Sequence, residues 1–304
     1  MHELVDLRGL QYDIELLDIQ QPNDRLFRGE SDVIKVSFAA AAMVAGDYWV
    51  LPSGSALGFG VGPLLLAATA DSSPADAEQV TFCPGEHTTA HHLFRHFYAG
   101  TSRVEQVVFS DIMPALQERR ADFGVCIHEG RFTWQAEGLH LVEDLGTRWE
   151  KETGGPLPLG GILAHQRLGA EVAGKVQATL RESIEFAQAN PDSALPTMRQ
   201  HAQEFDDAVL MQHVDLYVND WTLDLGEVGQ QALNQVSTRF KLRHGLVVDP
   251  LAREVHGLVL VQVAPFDDVF LGDQVDLVLG LPQRHVDQLL VLAADVLHGF
   301  ASDV

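Results

Sequence analysis

The chain has 304 residues, 46% of them hydrophobic, which suits about two globular domains and excludes a disordered chain. Twenty Lys and Arg stand against 43 Asp and Glu, a net charge of −23, and such a surface repels nucleic acid and anionic membranes. The longest apolar runs, around 36–45 and 61–70, are too short to span a membrane. The opening Met1-His2-Glu3-Leu4-Val5-Asp6 has neither the basic segment nor the apolar core of a signal peptide, so a cytoplasmic protein is expected.

In chain order, the first 160 residues alternate short apolar runs with helical stretches, the pattern of an α/β protein with a largely parallel sheet. The runs predict strands over 13–18, 32–36, 48–52, 63–69, 80–83, 106–109, 123–127 and 161–164. Helices are predicted to start after Gln21, Ser37, Gly85, Ser110 and Asp144. Beyond Arg167 the chain turns helical: Val172, Val176, Leu180, Ile184 and Ala187 recur at helical spacing, and Asn190-Pro191 ends that helix. Further helices are predicted over 196–204, 207–218 and 226–240. In the tail from Lys241, 246–248, 255–263 and 275–281 read as strands and 285–300 as an amphipathic helix, with no function attached. Cys83 and Cys126 form no Cys-x-x-Cys pair and read as free buried thiols.

Three segments share one design, an apolar strand that ends in a polar residue. Val33-Ile34-Lys35-Val36 runs into Ser37, a good N-cap for the helix that follows. Val80-Thr81-Phe82-Cys83 leads through Pro84-Gly85 into a helix start bearing Thr88 and Thr89. Phe123-Gly124-Val125-Cys126-Ile127 delivers His128 at its exit. Ligands of open α/β sheets bind outside the carboxyl ends of strands, where helix starts also present free N–H groups and a positive dipole end. Each segment has a structural reading when taken alone: Ser37 and the Thr pair as caps, and His128 as an ordinary strand-end histidine. Their coincidence favours a site for a small anionic ligand, with His128 as a candidate general base.

Other patterns carry less. His87, His91, His92 and His96 contain two i,i+4 pairs, but the pairs point in different directions around the helix and no third ligand joins them, so no metal site is expected. Gly58-Phe59-Gly60-Val61-Gly62-Pro63 lacks the third Gly of a dinucleotide fingerprint and is followed by a strand. It reads instead as a flexible turn feeding the hinge of a two-lobed protein.

Longer motifs then coincide with one family. Ser53-Gly54-Ser55-Ala56-Leu57-Gly58-Phe59-Gly60-Val61-Gly62-Pro63, Pro84-Gly85-Glu86-His87-Thr88-Thr89-Ala90 and Ile127-His128-Glu129-Gly130-Arg131-Phe132-Thr133 resemble the 1,4-dihydroxy-6-naphthoate synthases of menaquinone biosynthesis. So do Gly155-Pro156-Leu157-Pro158-Leu159-Gly160 and Tyr217-Val218-Asn219, in order and at matching spacing over about 13–239.

The resemblance implies a two-lobed fold like type II periplasmic binding proteins, with crossing strands near Val80 and Gly161. It divides the chain into a larger lobe, 1–85 with 159–240, an inserted smaller lobe, 86–158, and an extension, 241–304. The family opens with a strand and a Ser-Pro-Cys-Pro-Asn-Asp-like segment, and Met1 stands just past the matching position. Gly130 stands where the family more usually carries Ser. The family's reaction opens cyclic dehypoxanthine futalosine and releases 1,4-dihydroxy-6-naphthoate. The resemblance makes His128 the base and has Asn23, Ser37 and Thr89 hold the ligand. Thr88, beside Thr89, is expected to share in binding a carboxylate-bearing substrate, and no cofactor is required. A chorismate dehydratase-like enzyme of the same pathway and a non-catalytic cytosolic solute-binding protein for a small carboxylate are the alternatives.

Overall fold

The computed structural model describes residues 4–17, 20–44, 46–128, 130–201, 207–240, 242 and 274–279. The chain opens with β1 (Gln11–Leu16), α1 (Gln20–Arg28), β2 (Val33–Ser37), α2 (Phe38–Ala41), β3 (Tyr48–Val50) and β4 (Ala56–Gly58). Then follow β5 (Leu64–Ala67), β6 (Val80–Cys83), α3 (Thr89–Phe97), β7 (Arg103–Gln106), α4 (Ile112–Gln117), β8 (Phe123–Cys126), α5 (Gly130–Thr133), β9 (His140–Asp144) and α6 (Leu145–Thr153). The long β10 (Leu157–His165) leads into α7 (Gly169–Ala189), α8 (Pro191–His201), α9 (Asp207–Tyr217), α10 (Asp220–Leu223) and α11 (Gly226–Arg239), and β11 (Gln274–Leu279) comes last.

Two sheets result. The first runs β1-β11-β2-β10-β3, with β4 paired to the start of β10; the second runs β7-β6-β8-β5-β9. Strand alternation puts apolar residues on both faces, as sheets covered by helices on each side require. Val33 and Ile162 face Val176, Leu180 and Ile184 of α7, while Ile34 and Val36 face Leu26 of α1, Ala40 of α2 and Leu233 of α11. In the second sheet Leu65 and Ala67 pack on Leu93 and Phe94 of α3 and Trp149 of α6, while Leu64 and Leu66 pack on Ile112 and Leu116 of α4. Each such buried aliphatic side chain contributes about 1.5–3 kcal/mol.

The lobes join at two crossings. The first is the stretch 59–63, between β4 in one sheet and β5 in the other; the return is 154–156, between α6 and β10. The expected crossing near Val80 is therefore displaced. β5 and β6, assigned by resemblance to the larger lobe, pair with β7, β8 and β9 in the second sheet. The glycine-rich turn read as hinge-like is itself the first crossing. Its reason for glycine is closeness: Gly62 lies against Gly146 at the start of α6, and a Cβ on either would collide with the other's backbone. Leu145 N–H also donates to Pro63 O at 3.1 Å.

Several elements depart from expectation. β7 lies at Arg103–Gln106, not at 106–109, and α8 starts at Pro191, not at 196. β4, β9, α5 and α10 had no sequence signal. Cys83 and Cys126 are both buried. Of the tail, 246–248, 255–263 and 285–300 lie outside the described residues, whereas the strand expected over 275–281 forms as β11. It lies inside the first sheet, parallel to both neighbours, with Leu277 opposite Ile14 of β1 and Val33 of β2. Proline has no N–H for a ladder and is excluded from strands paired on both sides. We therefore expect Leu277→Pro to lower stability by about 1–3 kcal/mol, the scale of a ladder hydrogen bond lost with its acceptor left unpaired, read as a lower urea midpoint.

Candidate active site

A cleft opens where the two lobes meet, lined by Ser37, Thr88, Thr89 and His128 together with Lys35, Val61, Pro63, Leu159 and Tyr217, among others. Four of the five residues singled out from the sequence thus share one cavity.

Ser37 ends β2 and caps α2, because its hydroxyl accepts from Ala39 N–H at 3.3 Å. The same oxygen accepts from Thr89 N–H at 2.9 Å and lies 3.0 Å from Thr89 Oγ1. Thr89 Oγ1 in turn donates to Leu159 O of β10 at 3.0 Å, so the Ser37 hydroxyl is left as donor to Thr89 Oγ1. This chain of bonds crosses the cleft between the lobes. Thr88 is the N-cap of α3: its hydroxyl accepts from His91 N–H at 3.2 Å and donates to Gly85 O at 2.7 Å. Its hydroxyl is therefore engaged in holding the helix start.

Asn23 stands one layer back. Its Oδ1 accepts from Ser37 N–H at 3.2 Å, and it lines a neighbouring polar cavity with Asp24, Gly85, Glu86, His87 and Gln106. Its contact is with Ser37, on whose backbone position it acts.

His128 follows β8 by two residues and takes a left-handed backbone, φ +54°. That conformation costs a non-glycine residue about 1–2 kcal/mol and persists only where the surroundings impose it. His128 O accepts from Arg131 N–H at 3.1 Å, and Gly130 N–H donates to Ile127 O at 3.2 Å, so the turn leads straight into α5. The imidazole sits edge-on to Phe109, centroids 5.4 Å apart. Gly130 suits the crowded turn, since a Cβ there would lie 3.2 Å from that of Cys126.

No Asp or Glu lines this cleft among the described residues, although the chain carries −23 overall. Lys35, a buried lysine, lines it instead. Lys35 was not singled out from the sequence. The available signal was its place two residues before Ser37 on one strand, hence the same face.

The four clustered histidines diverge. His87 meets Phe27, His91 Nδ1 accepts from Gln106 Nε2 at 2.9 Å, and His92 and His96 both turn to Phe240. Among the described residues no group of three or more metal-ligating side chains converges. Burial is the first cause that lowers both the His91 and the His92 pKa from 6.5 to about 4, with His91, His87 and Arg95 adding to it.

Two α/β lobes around a cleft that holds an imidazole and hydroxyl-bearing strand and helix ends define the type II periplasmic-binding-protein-like class. The zinc-bound ligand-binding component of a Staphylococcus aureus ABC-type import system shares that fold, at TM-score 0.52 and 12% identity over 72% of this chain and 77% of that one. A crystal structure of an Archaeoglobus fulgidus protein matches at TM-score 0.70 and 30% identity, covering 74% of this chain and 83% of that one. The chain belongs to the menaquinone biosynthesis family, whose model matches residues 1–241. It is 42% identical to the 1,4-dihydroxy-6-naphthoate synthase of Streptomyces coelicolor over 75% of this chain and 82% of that protein. It is 40% identical to the enzyme of the same name from Thermus thermophilus over 75% and 83%.

The histidine pair predicts a pH signature. The unfolded chain protonates His91 and His92 below about 6.5, the folded protein only near 4, so stability is full above that range and lost as pH falls from 6.5 toward 4. Both rings are partly exposed, so we expect a loss on the order of 1 kcal/mol across this window, in addition to the carboxylates' contribution. Urea titrations of the wild type and a His91→Gln, His92→Gln variant check it: the variant's slope should be the flatter.

Proposed function

We propose that this chain is the lyase that converts cyclic dehypoxanthine futalosine to 1,4-dihydroxy-6-naphthoate, with His128 as general base. One observation carries the assignment of roles: His128, Ser37 and Thr89, contributed by three separate segments, face the same interlobe cleft. The 40–42% identity to curated synthases favours this reaction over a chorismate dehydratase or a non-catalytic binder.

Aromatising the substrate's carbocycle requires removal of carbon-bound protons and cleavage of the C–C bond to the sugar-derived portion. A neutral imidazole suits proton removal near neutral pH. The electron pair left behind develops as enolate charge, which the hydroxyl groups and helix-start N–H of α3 stabilise from fixed positions. The substrate carboxylate is held by the same donors and by Lys35. Binding exchanges the Ser37–Thr89 contact for contacts to ligand, so the bridge between lobes passes through the substrate. Asn23 keeps Ser37 in register, and Thr88 holds the α3 start. The apolar wall of Val61, Pro63 and Leu159 excludes water from the reactive intermediate.

We expect His128→Ala to lower kcat by about 10²- to 10⁴-fold while substrate still raises the melting temperature. Near-normal turnover would remove His128 from the chemistry. Thr89→Val, which keeps the volume and deletes the hydroxyl, should raise KM about 5- to 10-fold, the equivalent of one hydrogen bond, in steady-state kinetics.

A further inference from the structure

We propose that Arg131 is the positioning residue of the base: one guanidinium ties the His128 turn to the interlobe crossing, and so sets where the imidazole stands in the cleft. The inference rests on the reading of His128 as base.

The geometry is specific. Arg131 lies in α5, three residues past His128, and its own N–H closes the turn on His128 O at 3.1 Å. Its side chain leaves that turn and reaches two other segments. Nη1 donates to Gly62 O at 2.7 Å, and Nη2 donates to Asp144 Oδ2 at 2.7 Å. Both partners are largely buried, the side chains of Arg131 and Asp144 being 17% and 19% exposed. Asp144 is fixed from the other side, because its Oδ1 accepts from Thr147 N–H at 3.0 Å and caps α6. Gly62 is fixed by its backbone contact with Gly146, and with Pro63 it lines the cleft itself.

His128 occupies a left-handed conformation, uncommon for a residue other than glycine. The Arg131 fork anchors the turn that carries it to two segments outside that turn. It acts through the crossing at 59–63, the segment about which the lobes are joined. The placement of the base is thereby coupled to the hinge as well as to the small lobe's sheet. A lysine cannot reproduce this arrangement, since a single ammonium does not present two donors in a rigid fork to acceptors on separate segments.

The test is steady-state kinetics of Arg131→Lys and Asp144→Ser with the natural substrate, below each variant's melting temperature. Serine at 144 keeps a cap for α6 but loses reach to the guanidinium. Arg131→Lys should lose about 10- to 100-fold in kcat with KM changed less than about threefold, as expected when a catalytic group is misplaced on the ångström scale. Arg131→Ala should regain part of its kcat on addition of guanidinium ion and none with methylammonium. Wild-type kcat in folded Arg131→Lys would overturn the proposal. If that variant does not fold, Asp144→Ser decides: lowered kcat at constant KM supports the proposal, and unchanged kcat overturns it. If His128→Ala is inactive while these variants are normal, positioning by Arg131 fails and the base reading stands. If His128→Ala is active, the base reading itself has failed.

Discussion

The hydrogen-bonded run from Ser37 to Thr89 to Leu159 is the constraint around which the site is organised. It joins the end of β2 to the start of α3 and returns to β10, so each end of the chain of donors rests on the first sheet while its middle belongs to the second lobe. Both hydroxyls are buried, and a buried hydroxyl without a partner costs roughly 1–3 kcal/mol. The lobes are therefore held in register by groups that a carboxylate satisfies equally well. A ligand can replace the bridge without leaving any of its members unsatisfied.

That local chemistry also reconciles an acidic protein with a cleft whose donors suit an anion. Charges on the outer surface act through water and salt, and beyond about 8–10 Å they are largely screened. Within the cleft the nearest groups are Lys35, the start of α3 and neutral hydroxyls, with no carboxylate in the lining among the described residues. The helix start adds a partial positive charge that falls off within a turn, matched in range to a bound carboxylate. The surface charge thus governs what approaches from afar, and a few oriented donors govern what stays.

How much of this could be read in the residues differs by element. Strands with continuous apolar runs, such as Val33–Ser37, Leu64–Ala67 and Phe123–Cys126, declared themselves because both faces are buried. Edge strands did not: β7 is Arg-Val-Glu-Gln at a sheet margin, and the apolar Val107-Val108-Phe109 just after it drew the prediction three residues too far. α8 was placed late because Pro196 resembles a helix start, yet Pro191 already occupies the favoured first position. The site residues followed from strand ends and caps, whose signals are local. The roles of Lys35 and Arg131 depend on cavities and partners such as Gly62, 69 residues distant, which no local pattern records. The division into lobes failed for the same reason, since only pairing reveals that β5 and β6 belong with β8.

The position of β11 has a consequence for biosynthesis. The ribosome delivers residues in order, and the second lobe is one contiguous stretch that can close on itself soon after it emerges. The first lobe cannot, because the slot between β1 and β2 is filled by a strand that emerges only near residue 279. Until then β2, which ends in Ser37, lacks a neighbour along one side, and a nascent chain carries an open seam of unpaired amides. Such distant pairing is slow to form and exposes the seam meanwhile. Completion of the first sheet is thus a late event, reached only when residues 274–279 enter the slot between β1 and β2.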